Sequence, residues 1–295
     1  MKKVAVIGAG TMGNGIAHVF AQNGHSVSLI DINEKALQKA LITIEKNLDR
    51  MLTKNKITIA ESQEALQKIS IFTAMDEGIK GADLVIEAAT ENGDIKAKIF
   101  KTLDEITPAT TILATNTSSI SITKIGATTS RPDKVIGMHF FNPVPIMKLV
   151  EIIRGYATSD ETTALIMDMT QKIGKVPVEV NDYPGFAANR ILMPMINEAI
   201  YTLNEGVAGV EEIDTVMKLG MGHPMGPLQL ADFVGLDVCL SILQVLQQGF
   251  GTAKYAPCPL LVNMVTAGKL GKKSGEGFYN YSAGGKDMLV SAGFV

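Results

Sequence analysis

The sequence has little that points to nucleic acid, membrane or metal. Lysine and arginine number 27 against 30 aspartates and glutamates, giving a formal net charge of -3 and a pI near 5.9. Without a basic excess the chain lacks the electrostatic footprint of a nucleic-acid binder, and no such partner is expected. Cysteine is scarce. Cys239 and Cys258 are the two present, in no metal-ligand spacing, and they read as buried or incidental thiols in a reducing compartment. No metal site is expected. Nothing approaches the run of about 20 apolar residues that spans a bilayer. The start, MKKVAVIGAGTMG, imitates a secretory signal for six residues before glycines end the apolar run, and no small-residue cleavage site follows. A cytoplasmic protein with no membrane partner is the expectation. Internal repeats are absent too, and the last twelve residues, GGKDMLVSAGFV, have no evident role.

What is present is a globular composition, 46% hydrophobic and 19% charged, in 295 residues, more than one ordinary core serves. Short β-rich runs (KVAVI, SVSLI, ISIFT, ADLVIEAA, TTILAT, KVIGMHF) recur, with helical patterns such as Asp94–Glu105 between some of them. A longer helical excursion fills residues 33–69, with a break near Thr58. This rhythm predicts an α/β fold: a Rossmann-type, doubly wound, mostly parallel sheet. After VPVEV the pattern changes, and Tyr183-Pro184-Gly185 punctuates it. Beyond lie helical stretches at 186–205, 211–219, 227–248 and 258–267. Two domains are expected, residues 1–182 and an all-α domain over 183–295.

The first strand runs into Gly8-Ala9-Gly10-Thr11-Met12-Gly13, then a helix, then a second strand ending at Asp31. In that context Gly8 permits a tight turn, Gly10 a close approach of backbone to pyrophosphate, and Gly13 close packing of helix on strand. Phosphates would sit at the helix N-terminus, where unpaired N–H groups and the dipole favour anions. Asp31 suits both ribose hydroxyls and repels a 2′-phosphate, so NAD is expected ahead of NADP.

The stretch MHFFNPVPIMKLVEII places His139 at the carboxyl end of a predicted strand and Glu151 on an apolar strand face. A carboxylate in such a place needs a cation or strong donors, and an imidazole is a suitable partner. Spacing alone leaves the two evenly balanced between core residues and an acid–base pair. His18 and His25 occupy ordinary structural positions, and His223, in a Gly/Pro loop, is the one rival. Asn116-Thr117-Ser118-Ser119 follows another strand; Ser118 suits either a substrate oxygen or a helix cap. Asn189 interrupts an apolar helix and reads as a surface or interhelical residue. Lys46, Arg50 and Lys54, four apart, share one helix face, which is more often solvated than bound to a phosphorylated carrier.

Together these stretches resemble the 3-hydroxyacyl-CoA dehydrogenase family. The resemblance runs through VAVIGAGTMGNGIA, VIEAATEN, NTSSISIT, GMHFFNPVPIMKLVEII, PGFAANRILMPMINEA, MGHPMGPLQLADFVGLD and LGKKSGEGFYNY, in order and over nearly the whole chain. HFFNP with the downstream glutamate is specific to the family; the glycine loop is not. The resemblance implies NAD-dependent interconversion of an (S)-3-hydroxyacyl-CoA and its 3-oxoacyl-CoA, with 3-hydroxybutyryl-CoA the expected substrate, in fatty-acid and butanoate metabolism. It makes His139 the catalytic base, Glu151 its partner, and Ser118 and Asn189 substrate-positioning residues. Cofactor contacts carried over are Gly8 to Gly13, Asp31, Glu91, Lys96, Ser118, Asn142 and Lys273. Contacts to CoA fall on Ser118, Lys54 and Asn47. A homodimer through the C-terminal helical domain is also implied. The segment after Tyr281 inherits no assignment. A dehydrogenase of a free hydroxy acid or sugar acid, and a catalytically silent NAD-binding protein, remain as alternatives.

Overall fold

The computed structural model describes residues 1–282 and 289–294; of the tail left without a role, residues 283–288 and 295 lie outside the described residues. The chain divides into two compact units, Met1–Tyr183 and Pro184–Val295.

The first unit is built on eight strands. They are β1 (Lys3–Ile7), β2 (Ser26–Ile30), β3 (Ile69–Phe72), β4 (Leu84–Glu87), β5 (Ile112–Thr115), β6 (Val135–Phe140), β7 (Leu149–Arg154) and β8 (Val176–Asn181). Their order in the sheet is β3-β2-β1-β4-β5-β6-β7-β8. The pairings from β3 through to β6 are parallel, β7 runs antiparallel to β6, and β8 runs parallel to β7. Every residue of β4, β5 and β6 is buried, as in a sheet covered on both faces. The covering helices are α1 (Thr11–Gln22), α2 (Glu34–Thr53), α3 (Ile59–Gln67), α4 (Met75–Gly78), α5 (Gly93–Ile106), α6 (Ile122–Gly126) and α7 (Asp160–Lys172).

Local chemistry fixes several boundaries. Asn33 opens α2 by accepting from the N–H groups of Lys35 and Ala36. Thr58 opens α3 through a reciprocal capping box with Glu61, which is why the helical excursion breaks there. Strand order reverses between β1 and β4, the place where open α/β sheets leave a crevice at their carboxyl ends.

The second unit is helical: α8 (Ala188–Asn204), α9 (Val210–Thr215), α10 (Pro227–Val234), α11 (Leu236–Phe250) and α12 (Pro259–Thr266). One helix was expected over 227–248; instead the chain bends by 96° between α10 and α11. Gly235 makes the corner at φ 102°, a left-handed value, and a Cβ there would lie 3.1 Å from Lys273 Nζ. Leu228, Leu236, Leu243, Leu246, Leu261 and Phe278 form its buried core. Two short antiparallel strands, β9 (Tyr279–Asn280) and β10 (Leu289–Val290), follow, and the Phe294 ring lies 5.7 Å from that of Phe278. Among the described residues no single helix is long and apolar enough to cross a membrane.

Candidate active site

The glycine loop lies flat against the end of β4. A Cβ on Gly8 would come within 2.6 Å of the Ala88 carbonyl oxygen, and one on Gly13 within 1.8 Å of the Gly8 carbonyl oxygen, whereas Gly10 faces open space. Gly8 N–H donates to the Ile30 carbonyl at 2.7 Å, and Ala9 N–H to Asp31 Oδ2 at 2.7 Å. Asp31 Oδ1 accepts from Asn33 N–H at 2.9 Å, so the carboxylate is locked at the end of β2 beside the loop. No side chain caps the start of α1, which leaves its first N–H groups for an anion. Open backbone at Gly10, an uncapped helix and a fixed carboxylate together fit a dinucleotide.

A cleft of ≈ 450 Å³ opens from this loop. Thr11 and Asn14 of α1 form one wall, Lys39, Thr43 and Asn47 of α2 another, and Asn142–Pro145 a third. Asn47, which the family resemblance assigned to CoA, lines this cleft, and Asn14, Lys39 and Thr43, not singled out in the sequence, line it too. Lys39, Thr43 and Asn47 are spaced four apart on α2, which was the available signal there; the stripe noticed in the sequence, Lys46, Arg50 and Lys54, is exposed and continues the same face two turns further on.

His139 and Glu151 are directly opposed across the antiparallel β6–β7 pair. Opposed residues send their side chains to the same face, about 5 Å apart at Cβ. His139 Nδ1 and Glu151 Oε2 are 2.8 Å apart, with both residues buried. Phe140 enters the core and its N–H donates to Asn116 Oδ1 at 2.9 Å, tying the ends of β5 and β6. The Phe141 ring packs 4.6 Å from the imidazole, centroid to centroid.

Ser118 is gathered into a carboxylate knot. Glu91 Oε1 accepts from Thr117 Oγ1 at 2.7 Å, Ser118 N–H at 2.8 Å, Ser118 Oγ at 3.1 Å and Ser119 Oγ at 2.9 Å. Glu91 thus fixes the loop after β5, and its other oxygen lies 3.9 Å from Lys96 Nζ. Lys96 itself is fully buried and forms an ion pair with Glu87, equally buried at the end of β4. Thr115 Oγ1 donates to the same Glu87 oxygen at 2.8 Å, and Ala89 N–H donates to the other at 2.8 Å. Glu87 was missed by sequence reasoning, although a lone glutamate in an apolar strand is the signal that singled out Glu151.

The remaining candidates lie on other elements of the two units. Lys54 is exposed just past the end of α2. In the second unit, Asn189 is buried in the first turn of α8, and Lys273, exposed, pairs with Asp237. His223, the rival base, sits in a loop of that same unit, its N–H donating to the Met217 carbonyl at 3.1 Å.

Known proteins share both units. The family model described as 3-hydroxyacyl-CoA dehydrogenase, NAD binding domain, matches residues 3–183, and that described as 3-hydroxyacyl-CoA dehydrogenase, C-terminal domain, matches residues 185–281. The chain is 57% identical to a probable 3-hydroxybutyryl-CoA dehydrogenase of Bacillus subtilis, across 95% of this chain and 98% of that one. It is 52% identical to a 3-hydroxybutyryl-CoA dehydrogenase of Clostridioides difficile, across 95% and 99%. The solved (S)-3-hydroxybutyryl-CoA dehydrogenase of Ralstonia eutropha superposes with a TM-score of 0.93 at 52% identity, covering 96% of this chain and 99% of that one. By its matched domains, its sequence and its fold, this chain belongs to the 3-hydroxyacyl-CoA dehydrogenase family.

Proposed function

We propose that the protein is an NAD-dependent dehydrogenase interconverting (S)-3-hydroxyacyl-CoA, 3-hydroxybutyryl-CoA foremost, and the corresponding 3-oxoacyl-CoA. The observation that carries this reading is the buried His139–Glu151 pair on neighbouring strands of the sheet that also carries a dinucleotide-fitting glycine loop. Oxidation of a secondary alcohol removes a hydride from carbon and a proton from oxygen. Bound NAD supplies the hydride acceptor. The proton falls to this chain, which needs a base for it. Glu151 accepts the Nδ1–H of His139, so the ring lone pair lies on Nε2, and Nε2 takes the hydroxyl proton. The carboxylate then offsets the charge the ring acquires. In the reverse direction the same nitrogen returns the proton to the carbonyl oxygen.

The glycine loop from Gly8 to Gly13 receives the pyrophosphate, and Asp31 the ribose hydroxyls. Asn142, Glu91 and Lys273 make further cofactor contacts, while Lys96, buried on Glu87, acts through Glu91. Ser118 and Asn189 hold the acyl group, and Asn47, Lys54 and Ser118 contact CoA. The protein works in the cytoplasm, in fatty-acid and butanoate metabolism. It dimerises through its helical unit, where Ile191, Val216, Leu219 and Met221 are exposed apolar side chains in need of cover.

Initial rates with acetoacetyl-CoA and with free acetoacetate, each with NADH and NADPH, test the reading. The CoA ester with NADH is expected to be turned over fastest, and Lys54→Glu to raise KM for the ester alone. Faster turnover of free acids would make the protein a hydroxy-acid dehydrogenase instead. NADH binding without turnover of any of these would make it catalytically silent.

A further inference from the structure

We propose that Lys175 is a positioning residue for the reaction: its ammonium holds the turn at Val144–Met147 against α1 and so sets the third wall of the cofactor cleft. The inference rests on the functional reading above. Lys175 immediately precedes β8, and Val176 N–H donates to the Lys148 carbonyl at 2.8 Å, which fixes the backbone beside the entry to β7. From there the buried side chain donates to two carbonyls of one turn, Val144 at 2.5 Å and Met147 at 2.7 Å. The turn is already closed on itself, since the Pro143 carbonyl accepts from the N–H groups of Ile146 and Met147, both at 2.9 Å.

Taking an ammonium out of water among neutral dipoles is unfavourable, and burial pushes Lys175 down from the ordinary lysine value. Filling that space would need only an apolar side chain. The charge is better explained by the two carbonyls it grips.

The turn is held from the other side as well. Val144 is buried against Gly15 of α1, where an added Cβ would lie 2.8 Å from Val144 Cβ. His18, one turn further along α1, is fully buried, and among the described residues neither ring nitrogen has a hydrogen-bond partner. Burial pushes it down to about 4, Lys175 acting in the same direction and Gln22 in the opposite one. A neutral ring beside the ammonium neither repels it nor draws it away from the carbonyls.

The geometry predicts where a loosened turn is felt. Asn142–Pro145 line the cleft together with Gly10 and Thr11, whereas His139 and Glu151 are held by strand register. Cofactor affinity therefore falls before the chemical step does.

The test compares wild type, Lys175→Met, Lys175→Arg and Gly15→Ala as full chains. NADH binding is titrated by fluorescence, kinetics are measured with acetoacetyl-CoA, and melting is followed by circular dichroism. Lys175→Met is expected to weaken NADH binding and raise KM for NADH about tenfold, with kcat within about threefold of wild type. Lys175→Arg restores most of the affinity. Gly15→Ala, which pushes Val144 without touching Lys175, weakens NADH binding in the same direction. A Lys175→Met protein that melts lower but keeps wild-type NADH affinity would overturn the proposal, leaving Lys175 purely structural. Should Lys175→Met not fold, unchanged NADH affinity in Gly15→Ala overturns the proposal and weakened affinity supports it. Wild type that binds no NADH would instead overturn the functional reading on which it rests.

Discussion

The two units bury carboxylates in opposite ways. In the first, each buried glutamate of the site faces a basic group: Glu87 meets Lys96, and Glu151 meets His139. In the second, Asp214 and Asp232 are buried among dipoles. Asp232 accepts from the N–H groups of Phe278 and Tyr279 at 3.0 and 2.9 Å and from Tyr281 Oη at 3.1 Å. Asp214 accepts from Leu228 and Gln229 N–H, both at 2.9 Å, and from Tyr279 Oη at 2.8 Å. Burial pushes Asp232 up to about 6, the N–H donors acting against it. The phenols of Tyr279 and Tyr281 are pushed upward as well, first by burial.

The difference separates two uses of a buried carboxylate. Donors fixed on the backbone make it a tie point: Asp232 pins the segment after Gly277 onto α10, and Asp214 pins the start of α10. A partner that can itself gain and lose a proton makes it part of a chemical device. Of these buried carboxylates, Glu151 is the one whose partner is an imidazole, the side chain suited to general acid–base work. Glu87–Lys96 is intermediate, an ion pair whose lysine also approaches Glu91 at the loop carrying Ser118.

Removing one partner breaks the comparison most strongly at Glu87–Lys96. Glu87→Gln strands a buried ammonium, and the first unit is expected to lose about 3–5 kcal/mol, a fall in melting temperature of roughly 10 °C. A shift of a degree or two by calorimetry would show the pair to be energetically idle. Next comes Glu151→Gln, which keeps the shape of the pair but removes its charge. Its kcat is expected to fall by roughly 10²-fold with melting little changed; an active variant would make Glu151 a packing residue.

Acid sharpens the contrast, because the two units respond with opposite sign. Asp232 titrates about 6 in the fold against an ordinary 3.8, so the native state takes up its proton first and this group's contribution to stability grows as pH falls from 7 to 5. His18 is lowered to about 4 against an ordinary 6.5, so its contribution, present above 6.5, is lost as pH falls toward 4. Each change amounts to about 1–2 kcal/mol between pH 7 and pH 5. Urea unfolding of wild type, Asp232→Asn and His18→Gln at both pH values is the measurement. Relative to wild type, Asp232→Asn should lose ground on acidification and His18→Gln should gain it; the same sign in both would refute the assignment. Smallest of all is the exposed Asp168–Lys172 pair, 2.6 Å apart on α7. Lys172→Ala is expected to leave melting unchanged, since pairing without burial contributes little.

The sequence was most legible where structure is local. The strand–glycine loop–helix–strand path to Asp31 spans about thirty residues whose types each answer a nearby backbone need. The break at Thr58 was visible because a cap reaches only three residues. His139 and Glu151 are twelve apart on strands joined by a short turn, and spacing alone still left them undecided until the family resemblance was added. What stayed hidden depends on distant partners. Asp232 meets its donors 46 to 49 residues away, and Thr115 reaches Glu87 across 28. The bend at Gly235 rests on a left-handed backbone at one glycine inside an apolar helical run, which the hydrophobic periodicity on either side of it does not announce. Lys96 could be placed on a helix from its neighbours, but its burial comes from strands on which it does not lie.

The central claim is that His139, backed by Glu151, moves the proton while a bound nicotinamide takes or gives the hydride. Loss of NADH absorbance with acetoacetyl-CoA, measured for wild type and His139→Gln, tests it most directly. Wild type should turn over with NADH in preference to NADPH, and the variant should lose about 10²–10⁴-fold in kcat while still binding NADH. Undiminished activity in His139→Gln, or no turnover by wild type with either cofactor, would contradict it.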